Sequence, residues 1–96
     1  MNARRHIEAT LKKHKPFLKA KFKVDRIGIF GSQVRGEESE SSDVDILVTF
    51  SEPIGWEFVD LKEYLEEILE KRVDLVSIGA LKPQLREDIL KEVVYA

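Results

Sequence analysis

Phe30-Gly31-Ser32-Gln33-Val34-Arg35-Gly36, followed after a polar stretch by Ser42-Asp43-Val44-Asp45-Ile46-Leu47-Val48, decides how this chain is read. Each string joins an apolar run to a polar signal. The first run, Ile27-Gly28-Ile29-Phe30, ends on Gly31-Ser32, and the second opens at Asp43-Val44-Asp45 and continues to Phe50. Ten residues lie between Ser32 and Asp43. Apolar runs of this kind bounded by turn residues read as strands. In a strand, residues at i and i+2 share a face, so Asp43 and Asp45 present their carboxylates side by side. Two such groups repel unless a proton or a cation lies between them. A hard cation suits oxygen ligands, and Mg²⁺ usually takes one or two carboxylates plus substrate phosphates. At the other signal, a turn leaving a strand for a short helix exposes backbone N–H groups and binds anions. Gly31 permits close approach of the backbone, and Ser32 adds a hydroxyl. Alone, Gly31-Ser32 would read as a tight turn and helix cap. The Asp pair at fixed distance favours a phosphate seat.

Working outward, a helix is expected from about residue 3 to residue 13, with Ile7 and Leu11 on one stripe. Pro16 is expected to break it and start a short second helix over 16–22. Strand one spans about 26–30, and a short helix runs from Ser32 to Arg35 with Gly36 as its stop. Residues 37–42 read as a polar loop, with Ser42 fixing the turn before Asp43. Strand two is 44–50. A helix over 57–69 carries Phe58, Leu61, Leu65 and Ile68 on one stripe. Strand three is 73–78, opened by Val73-Asp74. The last helix is expected over 83–95, with Leu85, Ile89, Leu90 and Val93 facing inward and Pro83 at its start.

The joint pattern of Gly31-Ser32 and Asp43-x-Asp45 resembles the signature of the DNA polymerase β-like nucleotidyltransferase superfamily. The likeness runs from about Val24 to the C-terminus and is closest to the minimal nucleotidyltransferases (MNT), which are usually encoded beside a HEPN partner as a toxin–antitoxin pair. The resemblance implies an α/β (α+β) nucleotidyltransferase fold. It also implies a third carboxylate, Asp74, joining Asp43 and Asp45 as catalytic and metal-binding groups around two Mg²⁺ ions. ATP would be the substrate, held by Gly31, Ser32 and, on one reading, Arg35. Asp74 would help deprotonate the attacking hydroxyl. The competing reading makes Asp74 a surface partner of Lys71 or Arg72. Arg35 reads equally as a phosphate contact or as a strut to Glu37, Glu38 or Asp43.

This chemistry constrains topology. Ser32 ends strand one and Asp43-x-Asp45 opens strand two, so a shared phosphate requires the two strands to be antiparallel. Asp74 opens strand three, so a shared metal requires strands two and three to be parallel, joined by a helical crossover. The expectation is a mixed three-stranded sheet packed with helices.

Ninety-six residues, 43% of them hydrophobic, make one small domain, divided here into a basic helical segment over 1–23 and a catalytic core over 24–96. With no cysteine, disulfides, thiolate metal sites and a cysteine nucleophile are excluded. The two histidines, His6 and His14, both lie in the basic stretch and do not suggest a zinc site. No apolar run approaches the roughly 20 residues of a membrane span, and no signal-peptide core follows the basic N-terminus. A soluble cytoplasmic protein is expected. Net charge is −2, but residues 1–26 hold nine basic and two acidic side chains, against seven and sixteen in the remainder. The basic stretch reads as a solvated helix face or as a contact for nucleic acid or an acidic partner, and the acidity elsewhere disfavours nucleic acid as a stable partner.

The core occupies about 75 residues and leaves none for a substrate domain, so the acceptor must bring its own docking surface. The resemblance then implies transfer of AMP to a hydroxyl of a HEPN ribonuclease toxin, neutralising it. Alternatives are an antitoxin acting by binding alone, or transfer to a nucleic acid or small-molecule alcohol. Pairing of copies is compatible with so small a domain. Trp56, the sole tryptophan, is left open between pocket wall, core and interface.

Overall fold

The computed structural model describes residues 3–36 and 43–96. In chain order the elements are α1 (Ala3–Phe22), β1 (Val24–Phe30), α2 (Ser32–Arg35), β2 (Val44–Phe50), α3 (Glu57–Leu69), β3 (Val73–Ser77), a 3₁₀ turn (Ile78–Ala80), α4 (Pro83–Glu92) and β4 (Val94–Tyr95). The strands form one mixed sheet in the order β3-β2-β1-β4. β1 and β2 are antiparallel, with Ile27 opposite Val48 and Phe30 opposite Asp45. β3 joins β2 in parallel, with Asp45 opposite Asp74, and α3 makes the crossover. These are the strand directions that the chemistry demanded.

The sheet has four strands, one more than the sequence pattern suggested. The expected last helix stops at Glu92, and β4 pairs with β1 through Gly28–Tyr95 and Ile29–Val94. Val93, Val94 and Tyr95 are β-branched or aromatic, residues that fit a pleated surface better than a helix. Gly28 makes the pairing possible. A Cβ there would lie 2.8 Å from both Val93 Cγ2 and the Val94 carbonyl oxygen. Glycine inside a strand often marks such a close backbone approach.

α1 also corrects the expectation: it is a single helix through Pro16. Proline deletes the N–H that would bond the Lys12 carbonyl and costs roughly 3 kcal/mol. Against this, Ile7, Leu11, Leu18 and Phe22 on both sides of Pro16 are 0–4% exposed. Burying each such side chain contributes about 1.5–3 kcal/mol, so packing outweighs the break.

Alternation along the strands sets two faces. Val44, Ile46 and Val48 point to one side, with Ile27, Ile29, Val73 and Leu75, and meet Ile7, Leu11, Leu18, Leu61, Leu65 and Leu69 from α1 and α3 in the core. Asp43, Asp45, Leu47, Phe30 and Asp74 belong to the opposite face.

α4 departs from its predicted packing. None of its residues is buried, and Leu85 and Leu90 are 53% and 40% exposed. Among the described residues no helix is long and apolar enough to cross a membrane. The expected polar loop at 37–42, its turn residue Ser42, and the acidic partners Glu37 and Glu38 suggested for Arg35 lie outside the described residues.

Candidate active site

β1 ends by turning sharply at Gly31, whose φ of 76° and ψ of −147° fall in a region that is essentially glycine's alone. Its carbonyl accepts from the N–H groups of Val34 (3.0 Å) and Arg35 (3.1 Å), starting α2. Gly36, in the left-handed conformation, stops it. The absence of a side chain at Gly31 is also required from across the sheet. A Cβ would fall on Asp45 Oδ2 and come within 2.9 Å of Asp45 Cγ. The Asp45 carboxyl therefore lies directly against the turn that precedes Ser32.

Parallel pairing of β2 with β3 puts Asp74 beside Asp45. Asp43, two residues earlier on the same face, is exposed at the mouth, while Asp45 is half-buried. Burial first, then the charges of Asp74 and Asp43, push the Asp45 carboxyl above the usual carboxylate range; Arg35 acts in the opposite direction. The sheet thus sets Asp45 against Asp74 and Gly31, with Asp43 just before β2 and Ser32 next after Gly31 in the chain.

Arg35 has a partner that neither expected role named. Its guanidinium Nη1 donates to Glu92 Oε1 at 2.7 Å, tying α2 to the end of α4. Its charge is still felt by Asp45. Glu92 lies 57 residues away in sequence, and no spacing rule connects the two. Gln33 was also missed. It is 2% exposed, and among the described residues neither of its amide atoms has a hydrogen-bond partner. An orphaned buried amide costs about 1–3 kcal/mol.

Trp56 is 87% exposed at the start of α3, which overturns the core reading. It also stands at the end of β2 away from Asp45. At that same end a groove of about 880 Å³ is lined by Phe50, Pro53, Ile54, Phe58, Leu75 and Ile78. Five residues of strand separate Asp45 from Phe50, or about 16 Å at about 3.3 Å per residue. The groove therefore lies mostly away from Asp45, although its Leu75 directly follows Asp74 in β3.

Among the described residues no three carboxylate or imidazole side chains close into a ready-made metal cage. A protein-only cage is not what Mg²⁺ needs, because substrate phosphates and water supply most of its ligands. The carboxyls here fit a cation arriving with a nucleotide: Asp45 is half-buried and pressed by the like charges of Asp74 and Asp43, which Arg35 offsets only in part.

The chain matches the nucleotidyltransferase domain family over residues 11–96. It is 52% identical over 90 residues to a protein adenylyltransferase MntA of Thermococcus cleftensis, covering 93% of this chain and 91% of that protein. A solved structure described as a candidate minimal nucleotidyltransferase superposes with a TM-score of 0.77 at 40% identity, covering 98% and 95% of the two chains. The fold is shared at 22% identity and a TM-score of 0.65 with a chain from a tri-AMPylated Shewanella oneidensis HEPN toxin–MNT antitoxin complex, over 93% of this chain and 70% of that one.

Proposed function

The chain belongs to the nucleotidyltransferase domain family, and on that footing we propose that it transfers AMP from ATP to a hydroxyl of a partner protein. The partner we assign is a HEPN ribonuclease toxin, neutralised by the modification. The observation that carries the reading is the seat of Asp45, between the Asp74 carboxyl on one side and the Gly31 turn on the other. That arrangement supports a nucleotide whose phosphates meet Gly31 and Ser32 while its α-phosphorus faces the carboxylates.

Asp43, Asp45 and Asp74 would hold Mg²⁺, two ions on the family pattern, which when bound neutralises charge on the phosphates. Asp74 takes the proton of the attacking hydroxyl. The hydroxyl oxygen bonds to the α-phosphorus as the bond to the β-phosphate oxygen breaks. The products are an adenylylated side chain and pyrophosphate. Phosphoryl chemistry of this kind asks for placement and charge neutralisation rather than a nucleophilic side chain. Gly31 and Ser32 position the leaving phosphates, and Arg35, through Glu92, fixes the turn that holds them. The MntA relative's name and the AMPylated toxin in the fold neighbour's complex support AMP as the group and a HEPN protein as the acceptor.

The test incubates the protein with α-labelled ATP, Mg²⁺ and a HEPN protein encoded beside it. Label is expected on a partner hydroxyl, and Asp45→Asn is expected to reduce it at least about a hundredfold. A tight complex without label, indifferent to Asp43→Ala and Asp45→Ala, would instead make the protein a binding antitoxin. Label on RNA or a small alcohol would reassign the acceptor.

A further inference from the structure

The outer surface of the helical layer is unused by the chemistry. α1 and α3 pack side by side over the core, so their outward faces lie on the side of the sheet opposite the three aspartates. The two helices carry opposite charge. α1 holds seven basic residues and one acidic, whereas α3 holds five acidic and one basic. Lys12, Lys13 and Lys19 on α1 and Asp60, Glu63 and Glu67 on α3 are exposed. Among the described residues no ion pair engages any of them. The opposite charges lie on neighbouring helices but are not spent on each other.

The seam between the helices is aromatic. Phe17 of α1 stacks on Tyr64 of α3 with ring centroids 5.0 Å apart, and Phe17 is nevertheless 45% exposed. The surface thus presents a basic stripe, an apolar seam and an acidic stripe in sequence.

We propose that this surface binds a second copy of the same chain, face to face, to form a symmetric dimer. A twofold axis running along the seam lays each basic α1 over the acidic α3 of the other copy. It brings the two Phe17 rings together near the axis, where large aromatic anchors contribute most. The alternative twofold, across the seam, stacks like charges and is disfavoured. A nucleic acid fits less well, because the acidic stripe beside the lysines repels phosphate. The dimer leaves both aspartate faces pointing outward and accessible. It does not depend on the reaction proposed above.

Sedimentation equilibrium of the whole chain tests this. A dimer is expected at low salt, with a dissociation constant that rises about tenfold or more between about 50 and about 500 mM NaCl. Phe17→Ala is expected to weaken it about tenfold. The triple variant Lys12→Glu/Lys13→Glu/Lys19→Glu and the triple variant Asp60→Lys/Glu63→Lys/Glu67→Lys should each be monomeric. Circular dichroism checks that each is folded. Mixed, they should form a heterodimer, because each reversed helix then meets its opposite. A monomeric wild type, a dimer indifferent to salt and to both reversals, or folded variants that fail to pair on mixing would each overturn the proposal.

Discussion

The two faces of β2 divide the labour between neighbouring residues. Val44, Ile46 and Val48 are fully buried beneath α1 and α3, each at 0% exposure. Asp45, between the first two, looks the other way, into a cluster of like charges. One face gains stability by excluding water. The other holds an arrangement that is unfavourable until something positive arrives. The contrast teaches that stability and chemistry here should separate by mutation at adjacent positions.

The sharpest break is Ile46→Ala, which deletes buried side chain on the core face. It should cost about 2–5 kcal/mol, read as a fall in denaturation midpoint, while transfer per folded molecule is kept. Asp45→Asn should do the opposite. Transfer should drop at least about a hundredfold, roughly 3 kcal/mol in kcat/KM. Stability at neutral pH should rise. The Asp45 carboxyl is raised in the folded state, so protonation favours folding. Its contribution is fully present below the unfolded carboxyl's range and is lost as pH rises through the folded value. Thermal denaturation across pH 3 to 8, without divalent cation, should show that loss in the wild type and less of it in Asp45→Asn. Equal slopes would remove the claim that Asp45 carries the effect.

Gly31→Ala joins the two faces' logic at one position. It meets a glycine-only backbone and the Asp45 carboxylate together, so stability should fall by about 1–3 kcal/mol and transfer should fall with it. Gln33→Met sharpens the comparison from the side of α2. Replacing an orphaned buried amide with an apolar chain of similar size should raise stability by about 1 kcal/mol in denaturant titrations. The smallest effect is expected from Glu92→Gln, which removes the charge opposite Arg35. With the Arg35 side chain half exposed, the stability change should stay below about 1 kcal/mol.

The separation of faces was the part most legible in the sequence. Alternation in Val44–Phe50 and the Gly31-Ser32 turn set β1 antiparallel to β2, because a shared phosphate cannot be reached otherwise, whereas the direction of β3 also needed the role that the family resemblance gave Asp74. What stayed hidden depended on contacts distant in sequence. Pro16 read as a break because local propensity cannot see Ile7 and Phe22 held on the same core. Val93-Val94-Tyr95 read as the end of a helix because its strand character needs the free edge of β1 and the bare backbone at Gly28. Leu85 and Leu90 followed an amphipathic pattern, yet periodicity says only that a stripe exists, not that this chain covers it. Arg35 needed a partner from α4 that no motif announces.

The last strand has its own consequence. β4 is two residues long, and its hold on β1 rests on a few rungs, including the Ala96 N–H to the Ile27 carbonyl at 2.9 Å. A third tether is Lys15 Nζ donating to the Ala96 oxygen at 3.1 Å. So short a ladder is built to fray by itself. Its amides should exchange with deuterium long before those of β2, and each opening would bare the outer hydrogen-bonding edge of β1, a template on which an extended peptide could zip.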